Sequence, residues 1–424
     1  MMSANGGAAP PARARRAQRL TDRSRSELAD IAAVVLGLLL ARLALAALTG
    51  QWPWLAYNPY NSYSLQARAW LAGRLDLGQD YPWLELAIYQ EKYYVSFPPF
   101  PSAVLLPFAA LWGEATPDAW IALAFSVLAA VHAVRIARCF TRDSRVVCAS
   151  ALALLTANGY LFLCLNGWVW FFAQNICFAL TLAAIDHALH GRGAASLALW
   201  ACAVGCRPMM LLLLPALLVL LWRAMPEAAR ERTAFLRLCA LWLILPALIG
   251  GSYAALNWAR FGHPLEFGHN YLPEFQRAEQ GQFSLTYAWE HLLQWLRPLP
   301  LTGEGRLGIP VSDGMPVWLT TPLLFSAGAE WIAARRRRER ASGAMAWLLP
   351  LITAVYLFII LCHRTLGGWQ FGNRYVVDVL PMLYLALLAE RPERGRLDGL
   401  HLALAVFGCV MHAVGTAALY NAWI

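Results

Sequence analysis

Apolar runs of close to 20 residues follow one another along most of the chain, and they constrain its fold more than any other feature. A run of about 20 apolar residues is what a helix needs to cross the hydrocarbon core of a bilayer. Charged residues make up 14% of the chain, whereas soluble domains carry about 25%. The sequence therefore predicts an all-α fold, a polytopic integral membrane bundle of helices.

Clusters of arginine separate the apolar runs and predict the orientation of the bundle. They lie at residues 13–25, 135–145, 223–237, 335–340 and 391–396. Membrane proteins keep such basic clusters on the cytoplasmic side. The net charge of +9 is therefore interpreted as a topology signal and not as nucleic-acid binding. We expect a multi-pass protein of the inner (plasma) membrane with its N-terminus in the cytoplasm.

With the arginine clusters inside, the chain forms about eleven predicted spans. They cover residues 26–48, 119–138, 146–166, 171–187, 194–206, 208–222, 236–258, 317–334, 344–362, 375–388 and 401–420. Residues 1–26 are rich in alanine, arginine and serine, and they are predicted to be a disordered basic cytoplasmic tail. Residues 27–424 are predicted to be a single transmembrane domain.

Two long loops, residues 49–118 and 259–316, are predicted to lie outside. A long polar loop after a first span is costly to order unless it builds a site. Within these loops we expect short helices that lie in the membrane interface at residues 61–72, 83–89 and 287–296. A further short helix at residues 102–112 lies in the interface or dips into the membrane and returns. The outer face is therefore where chemistry is expected.

The first external loop holds most of the candidate acids. Asp76, Glu85 and Glu91 are candidate catalytic carboxylates, and Lys92, the only lysine in the chain, could bind a phosphate as a point charge. The plain alternative is that each of these groups is a solvated loop charge.

The second external loop and the last one supply further candidates. Arg260 is available for a phosphate, and the spacing of His263, Glu266 and His269 invites a metal interpretation that the intervening Pro264 and Gly268 make unfavourable. Near the last loop, Arg374 and Asp378 are four residues apart and could face each other on a helix. A planar guanidinium there could hold two phosphate oxygens, while a structural ion pair is the alternative.

In the order of its parts the chain resembles the GT-C superfamily of polytopic membrane glycosyltransferases, which includes protein mannosyltransferases and aminoarabinose transferases. One helix is followed by a long outer loop, by the segment YYVSFPP at residues 93–99 and by a short apolar helix. The pieces NWARFG at residues 257–262 and GNRY at residues 372–375 are similar to those of bacterial members.

This resemblance implies transfer of a sugar from a polyprenyl-phosphate carrier to an acceptor at the outer face, with inversion. A carboxylate after the first helix would act as general base. Counting back from Gly73, the position of the family's acid falls on Asn58 or on Asn61, and asparagine cannot take a proton. Either another carboxylate of the loop then serves, with Asp76, Glu85 and Glu91 the candidates, or the protein is no longer a transferase. Asn58, Asn61 and Asp378 are counted among the substrate-binding residues.

Other functions remain open from the sequence. The same basic residues could belong to a non-catalytic binding or transport protein for lipid-linked glycans, or the chain could be a structural membrane subunit. Transport predicts ionisable groups at mid-membrane, whereas most charges of this chain lie at the ends of predicted spans, which favours the enzyme. The expected partners are a polyprenyl-phosphate-linked sugar and membrane lipids. The sugar, the acceptor and a divalent metal cofactor are left open.

Overall fold

The computed structural model describes residues 12–52, 58–297, 314–337, 343–390 and 399–423. Within these ranges the secondary structure is helical apart from one two-stranded sheet. The predicted all-α membrane fold is confirmed. Residues 1–11 of the predicted tail, residues 298–313 of the second external loop and the arginine cluster at 391–396 lie outside the described residues.

The elements follow one another in this order. The first part contains α1 (Ala12–Thr49), α2 (Ser62–Leu71), β1 (Leu86–Tyr89), β2 (Lys92–Val95), α3 (Phe100–Trp112), α4 (Asp118–Phe140), α5 (Ser144–Thr156), α6 (Tyr160–Leu163), α7 (Val169–Leu189), α8 (Gly193–Val204) and α9 (Leu214–Ala224). The second part contains α10 (Arg232–Trp242), α11 (Ile244–Phe261), α12 (Pro273–Gln276), α13 (Leu285–Leu296), α14 (Val317–Thr320), α15 (Pro322–Arg336), α16 (Met345–Cys362), α17 (Leu380–Glu390) and α18 (Gly399–Tyr420). Short 3₁₀ turns lie at Gly113–Ala115, Pro208–Leu213, Glu227–Ala229, His269–Tyr271 and Arg374–Val379.

Six of the described helical stretches are long and apolar enough to cross a membrane. They are Ser24–Thr49, Asp118–Phe140, Val169–Leu189, Arg232–Phe261, Met345–Cys362 and Gly399–Tyr420. The predicted number of eleven spans is not confirmed. Other predicted spans form shorter helices, such as α5 with 13 residues and α8 with 12, which reach only about 20 Å of the ~30 Å that a bilayer core requires.

The first helix begins earlier than the sequence predicts. α1 starts at Ala12, so the described residues 12–26 of the predicted tail are helical. Alanine and arginine have high helix propensities, and a helix already nucleated by an apolar span extends through such residues at little cost.

Helix α7 forms the centre of the bundle. In its apolar window 94% of the residues are buried, compared with 11% in the stretch Arg232–Phe261, which therefore presents most of its surface to lipid. Helices α4 and α8 pack on α7, and α1 packs on α4 and α5. The N-terminal end of α7 is thereby held in the middle of the protein, beside the loops that carry the candidate acids.

Helix α2 of the first external loop begins where the sequence predicts. The side chain of Asn61 accepts hydrogen bonds from the backbone N–H groups of Tyr63 and Ser64, at 3.0 and 3.2 Å. This is the usual role of asparagine at a helix N-terminus. The helices predicted at residues 61–72, 102–112 and 287–296 are confirmed as α2, α3 and α13.

The helix predicted at residues 83–89 is wrong, because this segment forms an antiparallel hairpin. Strand β1 pairs with β2 in the register Leu86 to Val95 and Tyr89 to Lys92. The two turn residues, Gln90 and Glu91, have φ values of 49° and 60°, as a tight two-residue hairpin turn requires. The strands are rich in tyrosine and β-branched residues, which favour the extended backbone.

Candidate functional site

A cavity of about 720 Å³ lies where the two external loops meet the N-terminal end of α7. Seven parts of the chain contribute polar side chains to its walls: α2, the start of the hairpin, the N-terminal end of α7, the turn after α8, the second external loop, the end of α16 and the segment before α17. The polar groups among the lining residues are Tyr63, Glu85, Trp170, Arg207, Glu266, His269, Asn270, Glu274, Gln280, Gln282, Tyr356, His363, Thr365, Arg374 and Tyr375.

The hairpin places Glu85 in this cavity. Glu85 immediately precedes β1, and its carbonyl oxygen accepts a hydrogen bond from the buried hydroxyl of Ser96 at 2.9 Å. Arg260, at the end of α11, donates to the carbonyl oxygen of Val95 at 3.3 Å and to the side chain of Asn257 at 2.9 Å. Arg260 therefore ties the hairpin to the bundle, and it is not among the residues that line the cavity.

Glu85 is an exposed residue, and its side chain lines the cavity. Neighbouring protein atoms replace part of the water around its carboxylate and thereby raise the pKa of Glu85, while the indole of Trp170 and the charge of Arg374 oppose the rise. A carboxylate with a raised pKa is a stronger base than an ordinary surface glutamate, provided that it is still ionised.

Arg374 lies in the same cavity as Glu85, and it is held by backbone oxygens. Its Nε donates to the carbonyl oxygen of Gly367 at 2.7 Å, its second terminal nitrogen bonds the same oxygen, and its Nη1 donates to the carbonyl oxygen of Trp170 at 2.8 Å. The guanidinium also lies over the ring of Tyr375 at 4.9 Å. These contacts orient the Arg374 charge without neutralising it.

The prediction that the side chains of Arg374 and Asp378 face each other on a helix is wrong. Residues 374–379 form a 3₁₀ turn, in which positions four apart do not stack as they do in an α-helix. The partner of Asp378 is Arg207, whose Nε lies 2.9 Å from Oδ2. Asp378 is therefore part of the support of the cavity and is not one of its lining residues.

Three donors hold the buried carboxylate of Asp378. Besides Arg207, the hydroxyl of Tyr356 donates to Oδ2 at 2.6 Å, and the amide of Gln174 donates to Oδ1 at 2.9 Å. Among the described residues, the two terminal nitrogens of Arg207 make no hydrogen bond. The guanidinium of Arg207 lies over the ring of Tyr375 at 4.9 Å, on which Arg374 also stacks. Both guanidinium groups thus lie 4.9 Å from the centre of the same ring in the cavity wall.

The second external loop adds two carboxylates, Glu266 and Glu274, and the imidazole of His269. Both oxygens of Glu266 are engaged, one by the N–H of Gly268 and one by the amide of Asn270, each at 2.6 Å. The Nδ1 of His269 lies 3.2 Å from the carbonyl oxygen of Ser96. Burial lowers the pKa of His269 to about 3. The loop therefore presents a neutral imidazole to the cavity.

Several residues predicted as part of the site lie elsewhere. Asp76, Glu91 and Lys92 are not among the residues that line the cavity. The side chain of Asp76 accepts a hydrogen bond from the N–H of Gly78 at 3.0 Å, while Glu91 and Lys92 are exposed in the hairpin turn. Of the three candidate catalytic carboxylates, the fold brings only Glu85 together with Arg374.

Asn58 and Asn61 bind a carboxylate that the sequence reasoning missed. Their amide nitrogens donate to Oδ2 of Asp118, at 2.6 and 2.8 Å. Asp118 is buried at the first residue of α4, and a Cβ on Gly167 would lie 2.8 Å from its carboxyl carbon. An acid therefore lies beside Asn58 and Asn61, the two positions at which the sequence resemblance implies one. A carboxylate at the first residue of an apolar run was the signal that could have revealed it.

The described residues do not fit a metal ion. No group of three or more histidine, cysteine, aspartate or glutamate side chains among them could hold one. Of the spaced trio in the second external loop, His269 is bound to the Ser96 carbonyl, and Glu266 is saturated by its own loop.

No family model and no curated protein sequence matches the chain. Solved structures with a similar fold include an oligosaccharyltransferase of Archaeoglobus fulgidus in the apo form, at 14% identity and a TM-score of 0.44 over 92% of this chain and 55% of the other. They also include ArnT of Cupriavidus metallidurans, apo at 16% identity and a TM-score of 0.48 over 84% and 59% of the two chains. The ArnT structure bound to undecaprenyl phosphate matches at 14% identity and a TM-score of 0.49 over 92% and 76%.

The chain spans about half the length of the first of these proteins. All three TM-scores are below 0.5 and all three identities are below 20%, so the likeness does not decide the reaction. The chemistry of the cavity has to be argued from the residues of this chain.

Proposed function

We propose that this protein is a membrane glycosyltransferase that moves a sugar from a polyprenyl-phosphate carrier to an acceptor at the outer face of the membrane. The observation that carries the proposal is the shared cavity of Glu85, Arg207 and Arg374. It combines a base with two fixed positive charges in one cavity. The outer position rests on the arginine clusters, which membrane proteins keep inside.

Each group has a place in the reaction. Glu85 takes the proton of an acceptor hydroxyl while the oxygen of that hydroxyl attacks the anomeric carbon of the donor sugar. The bond between that carbon and the phosphate oxygen breaks, and the electron pair leaves on the phosphate. Arg207 and Arg374 stabilise the leaving phosphate, because positive groups fixed in advance are most effective where charge develops. Attack from the side opposite the phosphate inverts the anomeric centre.

Arg207 is the better placed of the two phosphate ligands. Its Nε is used by Asp378, while its terminal nitrogens have no acceptor within the described residues. Arg374 already donates to the carbonyl oxygens of Gly367 and Trp170. We therefore assign direct phosphate contact mainly to Arg207, and to Arg374 a long-range contribution to the positive potential.

The test is transfer from undecaprenyl-phosphate-linked sugars by the purified protein in lipid nanodiscs. Glu85→Gln keeps the size of the side chain and removes the base, so we expect transfer to fall about 10²- to 10⁴-fold. Asp76→Asn and Glu91→Gln are matched controls, since they neutralise carboxylates of the same loop outside the cavity, and they should keep wild-type activity.

Two results would speak against this assignment. Equal losses in all three variants would mean that Glu85 has no special role. Binding of undecaprenyl phosphate that depends on Arg207, without transfer to any acceptor, would favour the alternative of a non-catalytic binding or transport protein for lipid-linked glycans.

A further inference from the structure

His269 lies in the cavity wall and has no part in the reaction described above. Aromatic rings surround it, with Phe275 at 5.0 Å and Phe97 and Phe267 each at 5.8 Å between ring centroids. The preceding residue, Gly268, has a φ of 107°, and a Cβ there would lie 2.9 Å from the ring of Phe261 in α11 and 3.2 Å from the Cβ of Ala87 in β1. The loop can therefore pass close enough to the hairpin to place His269 only because this residue is a glycine.

The bond to Ser96 determines the tautomer of His269. A carbonyl oxygen only accepts hydrogen bonds, so Nδ1 carries the proton and Nε2 carries a lone pair. Ser96 is fully buried, and its hydroxyl also donates to the carbonyl oxygen of Glu85. A single buried serine thus fixes the positions of both Glu85 and His269.

The Nε2 atom of His269 is open to the cavity. It makes no hydrogen bond with the described residues, and it is not among their buried atoms that lack a partner. The ring stays neutral because burial and the nearby His363 and Arg207 disfavour a positive charge. The carboxylates that line the same cavity are Glu85, Glu266 and Glu274.

Four side chains of the cavity each have one fixed hydrogen-bonding role. The guanidinium groups of Arg207 and Arg374 can only donate hydrogen bonds, whereas the carboxylate of Glu85 and the Nε2 of His269 can only accept them. A ligand that satisfies both sets carries acceptor oxygens on one part and hydroxyl donors on another. A sugar linked to a phosphate has this pattern.

We infer that His269 is a specificity-determining residue, whose Nε2 accepts a hydrogen bond from a hydroxyl of the phosphate-linked sugar. This inference rests on the proposed function for the identity of the ligand, and on the geometry of the wall for the role of the residue. A neutral imidazole does not attract cations as a carboxylate does. The position of His269 therefore selects a hydroxyl group of the sugar over a positively charged group.

The first test is chemical modification with diethyl pyrocarbonate, which reacts with unprotonated, accessible imidazole nitrogens, followed by mass spectrometry. His269 should react at pH 5 almost as fast as at pH 7.5. N-acetylhistidine, with a pKa of about 6.5, should slow about thirtyfold over this range. A rate at His269 that falls in parallel with N-acetylhistidine, or no reaction at either pH, would overturn the inference.

Protection by ligands tests the contact itself. We would add undecaprenyl phosphate alone, or undecaprenyl phosphate carrying glucose, mannose or arabinose. At least one sugar-carrying lipid should protect His269 more than the bare phosphate does, while His263, which is exposed outside the cavity, should react equally throughout. Protection by the bare lipid phosphate equal to that by every sugar-carrying lipid would show that His269 does not contact sugar.

Variants separate recognition from folding. His269→Phe keeps an aromatic ring and removes the acceptor, so kcat/KM should fall about five- to tenfold, as expected for one neutral hydrogen bond. His269→Gln retains an acceptor oxygen and should recover most of this loss, whereas a merely structural role would give equal losses in both variants. His263→Phe is the matched control and should have wild-type kinetics.

The two proposals fail in different ways. If no lipid-linked sugar is transferred but His269 is protected by one, the proposed reaction fails and the binding role survives. If transfer proceeds and His269→Phe has wild-type kcat/KM, the role of His269 is refuted and the proposed function stands.

Discussion

The pair of Arg207 and Asp378 allows a quantitative test of how the cavity is built. The Asp378 side chain is 1% exposed and that of Arg207 is 23% exposed. Arg207→Met therefore leaves a fully buried carboxylate with only two neutral donors, Tyr356 and Gln174. Removing one partner of a buried ion pair costs about 3–5 kcal/mol. We expect Arg207→Met to lower the free energy of unfolding by an amount in this range.

The opposite single variant should cost less. Asp378→Asn keeps an acceptor oxygen for Tyr356, and it leaves a guanidinium that reaches the water of the cavity. We expect Asp378→Asn to lower the free energy of unfolding by about 1–3 kcal/mol, the cost of a lost hydrogen bond to a charged group. The double variant has neither charge of this pair. Its loss of unfolding free energy should therefore be about 2 kcal/mol smaller than the sum of the losses of the two single variants.

The assay is equilibrium unfolding by sodium dodecyl sulfate in mixed micelles at pH 7, followed by tryptophan fluorescence, on the wild type and the three variants. The cycle of four free energies of unfolding gives the coupling between the two side chains. Coupling below about 0.5 kcal/mol, the usual error of additivity, would refute the buried pair. A larger loss for Asp378→Asn than for Arg207→Met would refute the reasoning from burial.

Three further predictions follow from local geometry and charge. Because the pKa of Glu85 is raised, the folded state holds this proton up to a higher pH than the unfolded chain, and the contribution of Glu85 to stability becomes less favourable as the pH rises between the two pKa values. At a pH above both pKa values Glu85→Gln should therefore raise the thermal midpoint, whereas at a pH below both it should not. A midpoint that Glu85→Gln leaves unchanged at pH 8 would contradict this. Gly415→Ala would place a Cβ 1.9 Å from the ring of Phe371, whereas a Cβ on Gly250 meets nothing within 4 Å. In thermal unfolding, Gly415→Ala should lower the free energy of unfolding by about 1–3 kcal/mol and Gly250→Ala should not lower it. Equal effects of the two variants would contradict the packing around Gly415. Asn61→Ala removes a helix cap and should cost about 1–2 kcal/mol in the same assay, whereas Asn61→Ser, which can still cap, should recover part of this cost.

Features with a local cause could be predicted from the sequence. The helix at residues 61–72 was recognisable because its apolar face, its N-terminal asparagine and Gly73 just beyond its end all lie within one short segment. Span number was predicted less well. Apolar runs such as 146–166 look continuous in composition, but the helix ends at Thr156 and the chain continues through α6.

The hairpin shows why composition alone failed in the first external loop. A short apolar run does not distinguish helix from strand, and Gln90 and Glu91 are not typical turn residues. What stabilises the strands comes from elsewhere in the chain: Tyr89 packs on Tyr271 at 4.6 Å, and Tyr94 packs on Phe261 at 5.2 Å. Contacts between such distant segments leave no periodic pattern in the sequence.

The sequence by itself determined the class of protein, because the cost of placing polar backbone in lipid allows a chain with this many apolar runs to form only a bundle of helices. It also indicated which loops carry the polar chemistry. Only the tertiary structure decided which of those groups meet. Glu85 joins Arg207 and Arg374, while Lys92 and Arg260 do not line the cavity. Asn58 and Asn61 bind the carboxylate of Asp118. These partners lie far apart along the chain, and the packing of helices around α7 brings them together.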